Sequence, residues 1–337
     1  MQNNYIRVLN PLRAIAALGV CLVHFGGLGL FGNSTISTIF SCGQLGVYVF
    51  FVISGFIIPY SLYHSEYKTS NFFNYILRRS VRIDPPYFVA ILLTLLLSYL
   101  VTIRPGYVGE GFHFNILQLI AHITYTVPLT NYGWYSHVFW TLCIEFQFYI
   151  FMGLMMRIIT RSSFIVILSI LGFVSLSSLF HFNKAYYCIS TYSSVFCIGI
   201  VTYCLKIAKL SSSQFFLALF VFFGIEYLQS NGLIVPIVSV ITALVITYSN
   251  YSNSVLNFIG KISYSLYITH GLIVTIFGFI VKRYVMSVGM KFIFLSVELL
   301  VACAFAYLFY WVVEERFIRI AKTIKLDNSK KEINITS

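Results

Sequence analysis

Charge is what this 337-residue chain has least of. Only 9% of its residues are Asp, Glu, Lys or Arg, where a soluble domain carries about a quarter. Acids are scarcest, 10 against 22 Lys and Arg, so the formal net charge is +12. With 59% hydrophobic residues the chain cannot cover itself with a solvated surface, which excludes a soluble globular domain. A nucleic-acid partner is excluded as well, because the bases are confined to loops and the C-terminal tail rather than forming a basic face.

Other absences narrow the chemistry. The seven cysteines show no CxxC or metal-like spacing and read as small apolar packing residues, so no metal site is expected. There is no Walker A loop, GxGxxG or HExxH motif, which leaves ATP-driven transport and zinc proteolysis without support. No internal repeat is evident. The N-terminal apolar stretch is not a cleaved signal, because it carries Arg13 and His24 and similar stretches recur to the C-terminus.

What the chain has is long apolar runs. Windows of about 20 apolar residues fall near 11–31, 41–63, 86–103, 137–157, 163–181, 187–205, 214–230, 232–249, 256–281 and 291–313. They predict an all-α membrane protein, a bundle of about ten transmembrane helices forming one domain over residues 1–326, followed by a disordered polar tail over 327–337. The segment 116–131 is too short and polar to cross and reads as a re-entrant or interfacial helix lying over the bundle. Arg7, Lys68, Arg78, Arg79, Arg82, Arg157, Arg161 and the basic tail fall on one side of such a bundle, which the positive-inside rule makes cytoplasmic together with both termini. Lys282, Arg283 and Lys291 run against that pattern. The expected setting is a plasma membrane, the inner membrane of a bacterium.

Ionisable residues inside such spans are costly and point to function. Arg13 and His24 lie eleven residues apart in the first span, so on an α-helix they share a face and stand about 16 Å apart along the axis. In the second span Ser54 and Gly55 leave room for close helix packing or for a thin ligand. Arg78, Arg79 and Arg82 precede Asp84-Pro85-Pro86 at the membrane surface, where Arg79 and Arg82 share a helix face suited to holding phosphates, and Asp84 with the prolines is expected to form a turn. Trp140 and Glu145 mark the fourth span. Ser263, Tyr264, Tyr267 and His270 mark the ninth, and Glu298 the tenth. Counted from the span ends, His24, Glu145, His270 and Glu298 reach a similar depth, so a histidine base with an orienting acid is one reading. A proton relay in a transporter is another.

Taken in order, these motifs resemble the membrane acyltransferase 3 family of integral membrane O-acyltransferases. The markers are Arg13-x10-His24, the Gly46 to Phe56 stretch, Arg79-Ser-Val-Arg82-Ile-Asp-Pro85, Trp140-Thr-Leu-Cys-Ile-Glu145, and Gly260-Lys-Ile-Ser263-Tyr264-Ser-Leu-Tyr267-Ile-Thr-His270, spread over residues 5–320. One departure is visible: the family's Glu-x-Pro after the last span is Glu315-Arg316-Phe317 here. The short tail also leaves out the esterase-like domain that some members append.

The resemblance implies an acyl-CoA donor, most often acetyl-CoA, used as a substrate rather than held as a permanent cofactor. The implied acceptor is a hydroxyl of a carbohydrate or glycolipid, for example O-antigen in polysaccharide biosynthesis, reached directly or through a partner protein. His24, Glu145 and Arg13 would be the catalytic group, with His24 as general base or acyl carrier and Glu145 orienting it. Arg79, Arg82, Arg78, Ser54 and Gly55 would hold the donor, and Trp140, Ser263, Tyr264, Tyr267, His270 and Glu298 are further candidates. A polyprenyl-linked sugar flippase or proton-coupled transporter is the competing class, and would move substrate with no need for CoA.

Overall fold

The computed structural model describes residues 6–32, 34–107, 111–177, 187–281 and 286–326. Among them the chain is helical, with no strand. α1 (Leu9–Leu22) continues into a π-helical stretch, Val23–Leu30, and is followed by α2 (Thr35–Ser41), α3 (Leu45–His64) and α4 (Phe72–Thr102). Short α5 (Ile116–Ile123) leads to α6 (Trp140–Arg161), α7 (Phe164–Leu176), α8 (Ile189–Lys206), α9 (Ser212–Ser230) and α10 (Ile234–Tyr248). α11 (Ser254–Lys261), α12 (Ser263–Val281), α13 (Val288–Phe309), a π-helical stretch Tyr310–Glu314 and α14 (Glu315–Thr323) complete the fold. The expected tail over 327–337 and the Lys282-Arg283 pair lie outside the described residues.

Seven helical segments are long and apolar enough to cross a membrane, or eight if α11 and α12, bent by 72° at Ile262, count as one span. The count differs from the ten expected because α7 has 13 residues and α10 has 15. At about 1.5 Å per residue these reach only some 20 Å, against a hydrocarbon core of about 30 Å. α4 departs in the other direction. Its 31 residues run unbroken through Pro85 and Pro86, where a turn was expected. Proline costs a helix its hydrogen bond to the preceding turn, and neighbours brace this point instead: the Tyr264 hydroxyl donates to the Ile83 carbonyl at 2.8 Å and the Tyr125 hydroxyl donates to Asp84 Oδ1 at 2.9 Å. The first turns of α4, with Arg78, Arg79 and Arg82, therefore belong to the same rigid rod as its membrane portion.

Glycine lets the central helices touch backbone to backbone. A Cβ on Gly55 would lie 2.3 Å from the Phe196 carbonyl oxygen of α8, and one on Gly199 would lie 2.3 Å from that of Val52 in α3. Gly46 meets Ala16 of α1 in the same way. α3 is thus clamped between α1 and α8, as small residues permit in a bilayer where lipid removes the hydrophobic drive between helices. This corrects the reading of Gly55 as part of a ligand wall: its face is filled by α8. α5 lies over the bundle as expected, burying Ala121 and His122 while Ile116, Leu117 and Ile120 face away. Its His122 accepts from the Tyr135 amide at 3.1 Å, and burial holds the ring below its ordinary pKa.

Candidate active site

Three cavities carry the ionisable residues. The innermost, of ≈ 60 Å³, is lined by Arg13, Ser54, Thr141, Glu145, Tyr264 and Tyr267, with Ser263 and apolar side chains of α3 beside them. Glu145 accepts from the Ser54 hydroxyl at 3.2 Å. Arg13 stands within electrostatic reach of Glu145, Glu314 and Arg82, and its Nε is buried with no hydrogen-bond partner among the described residues. Two arginines thus face two glutamates in a low-dielectric interior, where an uncompensated charge of either sign would be costly.

Glu314 is the residue that sequence reasoning missed. It is 3% exposed and accepts from the Ser265 hydroxyl at 2.5 Å, with Arg82 and Arg13 as its nearby cations. The signal was present in the Glu314-Glu315 tandem, but attention fell on the second acid. Glu315 instead pairs on the surface of α14 with Arg319 at 3.0 Å. The π-helical stretch that ends at Glu314 explains the difference, because its wider turn changes which side chain faces inward.

The second cavity, of ≈ 190 Å³, holds His24, His137, Ser136 and His270 with Thr94 and Ser98 of α4. His24 sits on the π-helical stretch after α1, and its ring lies 5.0 Å from that of His270, centroid to centroid. His270 is 1% exposed. Its Nδ1 lies 2.8 Å from the Tyr267 carbonyl and 3.2 Å from that of Leu266. A carbonyl oxygen only accepts, so Nδ1 carries the proton and Nε2 presents a lone pair. That Nε2 is buried and has no partner among the described residues. His137, from the loop before α6, is the charge neighbour of His24, and nothing in its unpatterned surroundings marked it in the sequence.

Glu145 is therefore not the group facing His24. The two line different cavities, and the contact of Thr141 Oγ1 with the Tyr267 hydroxyl at 2.9 Å lies on the wall of the Glu145 cavity. Position along each helix does not fix which way the helix turns its face, and α6 turns Glu145 toward Ser54 rather than toward His24. Glu298 is also elsewhere, buried beside Cys21 and Cys303. Trp140 joins an aromatic cluster with Tyr187 and Tyr192 and lines neither cavity.

A third cavity, of ≈ 100 Å³, opens at the start of α4 and is lined by Arg78, Arg79, Arg82, Tyr75 and Lys322. The Arg79 guanidinium lies over the Tyr75 and Tyr149 rings at 5.9 and 5.5 Å, which holds it in place while leaving its edge for hydrogen bonding. Arg82 links this cavity to the Arg13 group, since Glu314 feels both arginines. Among the described residues no group of His, Cys, Asp and Glu is arranged to hold a metal ion.

The geometry is that of a helical bundle with several apolar spans, carrying a cavity lined by arginines, one at Arg13 and Glu145, and one that holds the His24–His270 pair. The acyltransferase-domain model of the acyltransferase 3 family matches residues 6–314, and the chain belongs to that family. A Staphylococcus aureus (strain COL) protein, provisionally named an O-acetyltransferase, is 28% identical over 93% of this chain and 57% of its own length. A protein of Acidianus two-tailed virus, provisionally named an acetyltransferase, is 25% identical over 82% of this chain and 86% of its own. Nodulation protein 10 of Rhizobium leguminosarum bv. viciae is 32% identical over 44% of each chain. The chain spans a little over half the length of the Staphylococcus relatives that it matches. No solved structure matches it.

Proposed function

We propose that this protein is an integral membrane O-acyltransferase that moves an acyl group, acetyl by analogy with the names of its relatives, from acyl-CoA to a hydroxyl of a cell-surface polysaccharide, glycolipid or related sugar. The observation that carries this reading is the His24–His270 pair, with rings 5.0 Å apart in one polar cavity and the buried His270 presenting an Nε2 with no partner among the described residues. His24 takes the proton of the acceptor hydroxyl as its oxygen attacks the thioester carbonyl carbon. The tetrahedral intermediate collapses to the ester and expels the CoA thiolate, which the proton held at His24 then neutralises. His270 Nε2 accepts a hydrogen bond from the other nitrogen of His24 once that ring is protonated, which steadies the developing imidazolium. Nothing beyond donor and acceptor is consumed.

Arg78, Arg79 and Arg82 hold donor phosphate, and Arg13 and Ser54 accompany the pantetheine arm toward the Thr141–Tyr267 contact. α7 and α10 serve as short spans, giving ten crossings of a bacterial plasma membrane with both termini and the arginine cavity on the cytoplasmic side. The acceptor enters the His24 cavity from the opposite face, alone or brought by a partner protein. Mass spectrometry of surface glycans from cells with and without the protein tests this reading. A lost acyl increment supports it; unchanged glycans together with a lost lipid-linked sugar flux would indicate transport instead.

A further inference from the structure

A further cavity, of ≈ 850 Å³, lies outside the set described above, where α3 and α6 end. Lys68, Arg157 and Arg161 line it, with Tyr63, Tyr67 and Ser70. All three cations are exposed, and none forms an ion pair among the described residues. A fourth cation, Lys209, donates to the carbonyl of Thr160, another lining residue, at 2.8 Å. Against these stands one lining acid, Glu66. Tyr63 keeps 45% of its surface exposed, and Tyr67 is anchored by its hydroxyl, which donates to the Gly153 carbonyl at 2.8 Å. Leu62 lines both this cavity and the one holding Arg78, Arg79 and Arg82, so the two adjoin.

Cations without an ion-pair partner among the described residues, around a concavity of this size and beside the half-exposed Tyr63 ring, are features that recognise a phosphorylated nucleoside. Cations hold phosphate by charge-assisted hydrogen bonds, and aromatic faces stack a base. The volume falls in the range of small-molecule sites, about 300–1,000 Å³. General attraction to lipid headgroups needs only surface charge at the bilayer edge, and would not require cations from the α3–α4 loop and the last turns of α6 to converge on one hollow.

We propose that the cavity bounded by Lys68, Arg157 and Arg161 binds the 3′-phosphorylated adenosine end of the acyl donor, whose pyrophosphate then passes over Leu62 to Arg78, Arg79 and Arg82. The assignment rests on acyl-CoA being the donor, as proposed above. Arg78, Arg79 and Arg82 line one small cavity of ≈ 100 Å³, with Arg79 braced by two tyrosines, so the arginine motif of α4 takes the pyrophosphate and the terminal phosphate falls to residues that no motif marks.

The test is calorimetric titration of adenosine 3′,5′-bisphosphate into the purified full chain in detergent. Binding should weaken about tenfold for each of Lys68→Ala, Arg157→Ala and Arg161→Ala, the loss of one charge-assisted contact. Arg157→Lys should weaken it less, and adenosine 5′-monophosphate should bind weakly and alike in all variants. Because these side chains are exposed, the variants should elute and melt as the parent does. Absence of bisphosphate binding, or equal binding in every variant, overturns the site. So does bisphosphate binding that stays unchanged while the variants lose co-purified phosphatidylglycerol, which would make it a headgroup site.

A second arm separates this inference from the reading beneath it. With acetyl-CoA as donor the triple alanine variant should raise KM at least tenfold, while with S-acetylpantetheine it should match the parent. An unchanged KM for acetyl-CoA overturns the site and leaves the acyltransferase reading intact. Bisphosphate binding that the variants abolish, in a protein that never consumes acetyl-CoA, upholds a nucleotide site and overturns the donor reading.

Discussion

The Arg13 cavity and the His24 cavity are near neighbours built on opposite principles. At the first, opposite charges meet: Arg13 lies within electrostatic reach of Glu145 and Glu314, Arg82 within reach of Glu314, and hydroxyls of Ser54 and Ser265 donate to the acids. In the second, imidazoles stand among hydroxyls, and among the described residues no carboxylate lines the cavity. Opposed charges in a low dielectric fix geometry and resist change, whereas a neutral imidazole keeps one nitrogen lone pair free to accept a proton. The comparison teaches that the acids beside Arg13 are tied to hydroxyls and cations, while the imidazole of His270 keeps a nitrogen unpartnered among the described residues, which is why the proposed mechanism gives the proton transfer to the histidines.

Glu314→Gln should have the largest effect, because it leaves Arg13 and Arg82 with one acid between them. Breaking a buried charge group this way costs about 3–5 kcal/mol, which thermal melting of detergent-solubilised protein would register together with loss of transfer. A normal melt would mean that opposite charges do not meet there as described.

His270→Ala should lower kcat about ten- to hundredfold, the worth of a hydrogen bond to a charged partner, with little change in the donor KM. His270→Gln, whose side-chain carbonyl can accept in place of Nε2, should recover part of that rate. Glu145→Gln provides the contrast: it should move the donor KM more than kcat, as expected for a group that acts on binding. Equal kcat losses in the two would erase the division between the cavities.

Gly55→Val should lower the melting temperature by overpacking the α3–α8 contact, a cost of about 1–3 kcal/mol, and leave the donor KM of the folded fraction unchanged. A raised KM without loss of stability would return Gly55 to the donor wall. Tyr267→Phe should be mildest, removing the contact to Thr141 for about 1 kcal/mol and leaving both cavities in place.

Much of this was legible in the chain. The helical bundle follows from runs of apolar residues, and the importance of Arg13 and His24 follows from the cost of charge in a membrane. Their spacing separates them along one segment, and they line different cavities. Relations between helices were not legible. The facing of Glu145 toward Ser54 and Arg13 depends on how α6 is rotated against α3, which backbone contacts such as Gly55 with Phe196 set. Asp84-Pro85-Pro86 read as a turn because the bracing hydroxyls of Tyr125 and Tyr264 come from remote segments. Glu314 was hidden by a π-helical widening that no residue pattern announces.

The central claim, that His24 performs the proton transfer of an acyl transfer reaction, is tested most directly in reconstituted vesicles. Radiolabelled acetyl-CoA would be added on the side of Arg78, Arg79 and Arg82, with extracted surface glycan on the other, for the parent protein and for His24→Ala incorporated at equal amounts. The account predicts label in the glycan with the parent and a loss of at least about a hundredfold in the variant. Label transferred by His24→Ala at the parent's rate would contradict it.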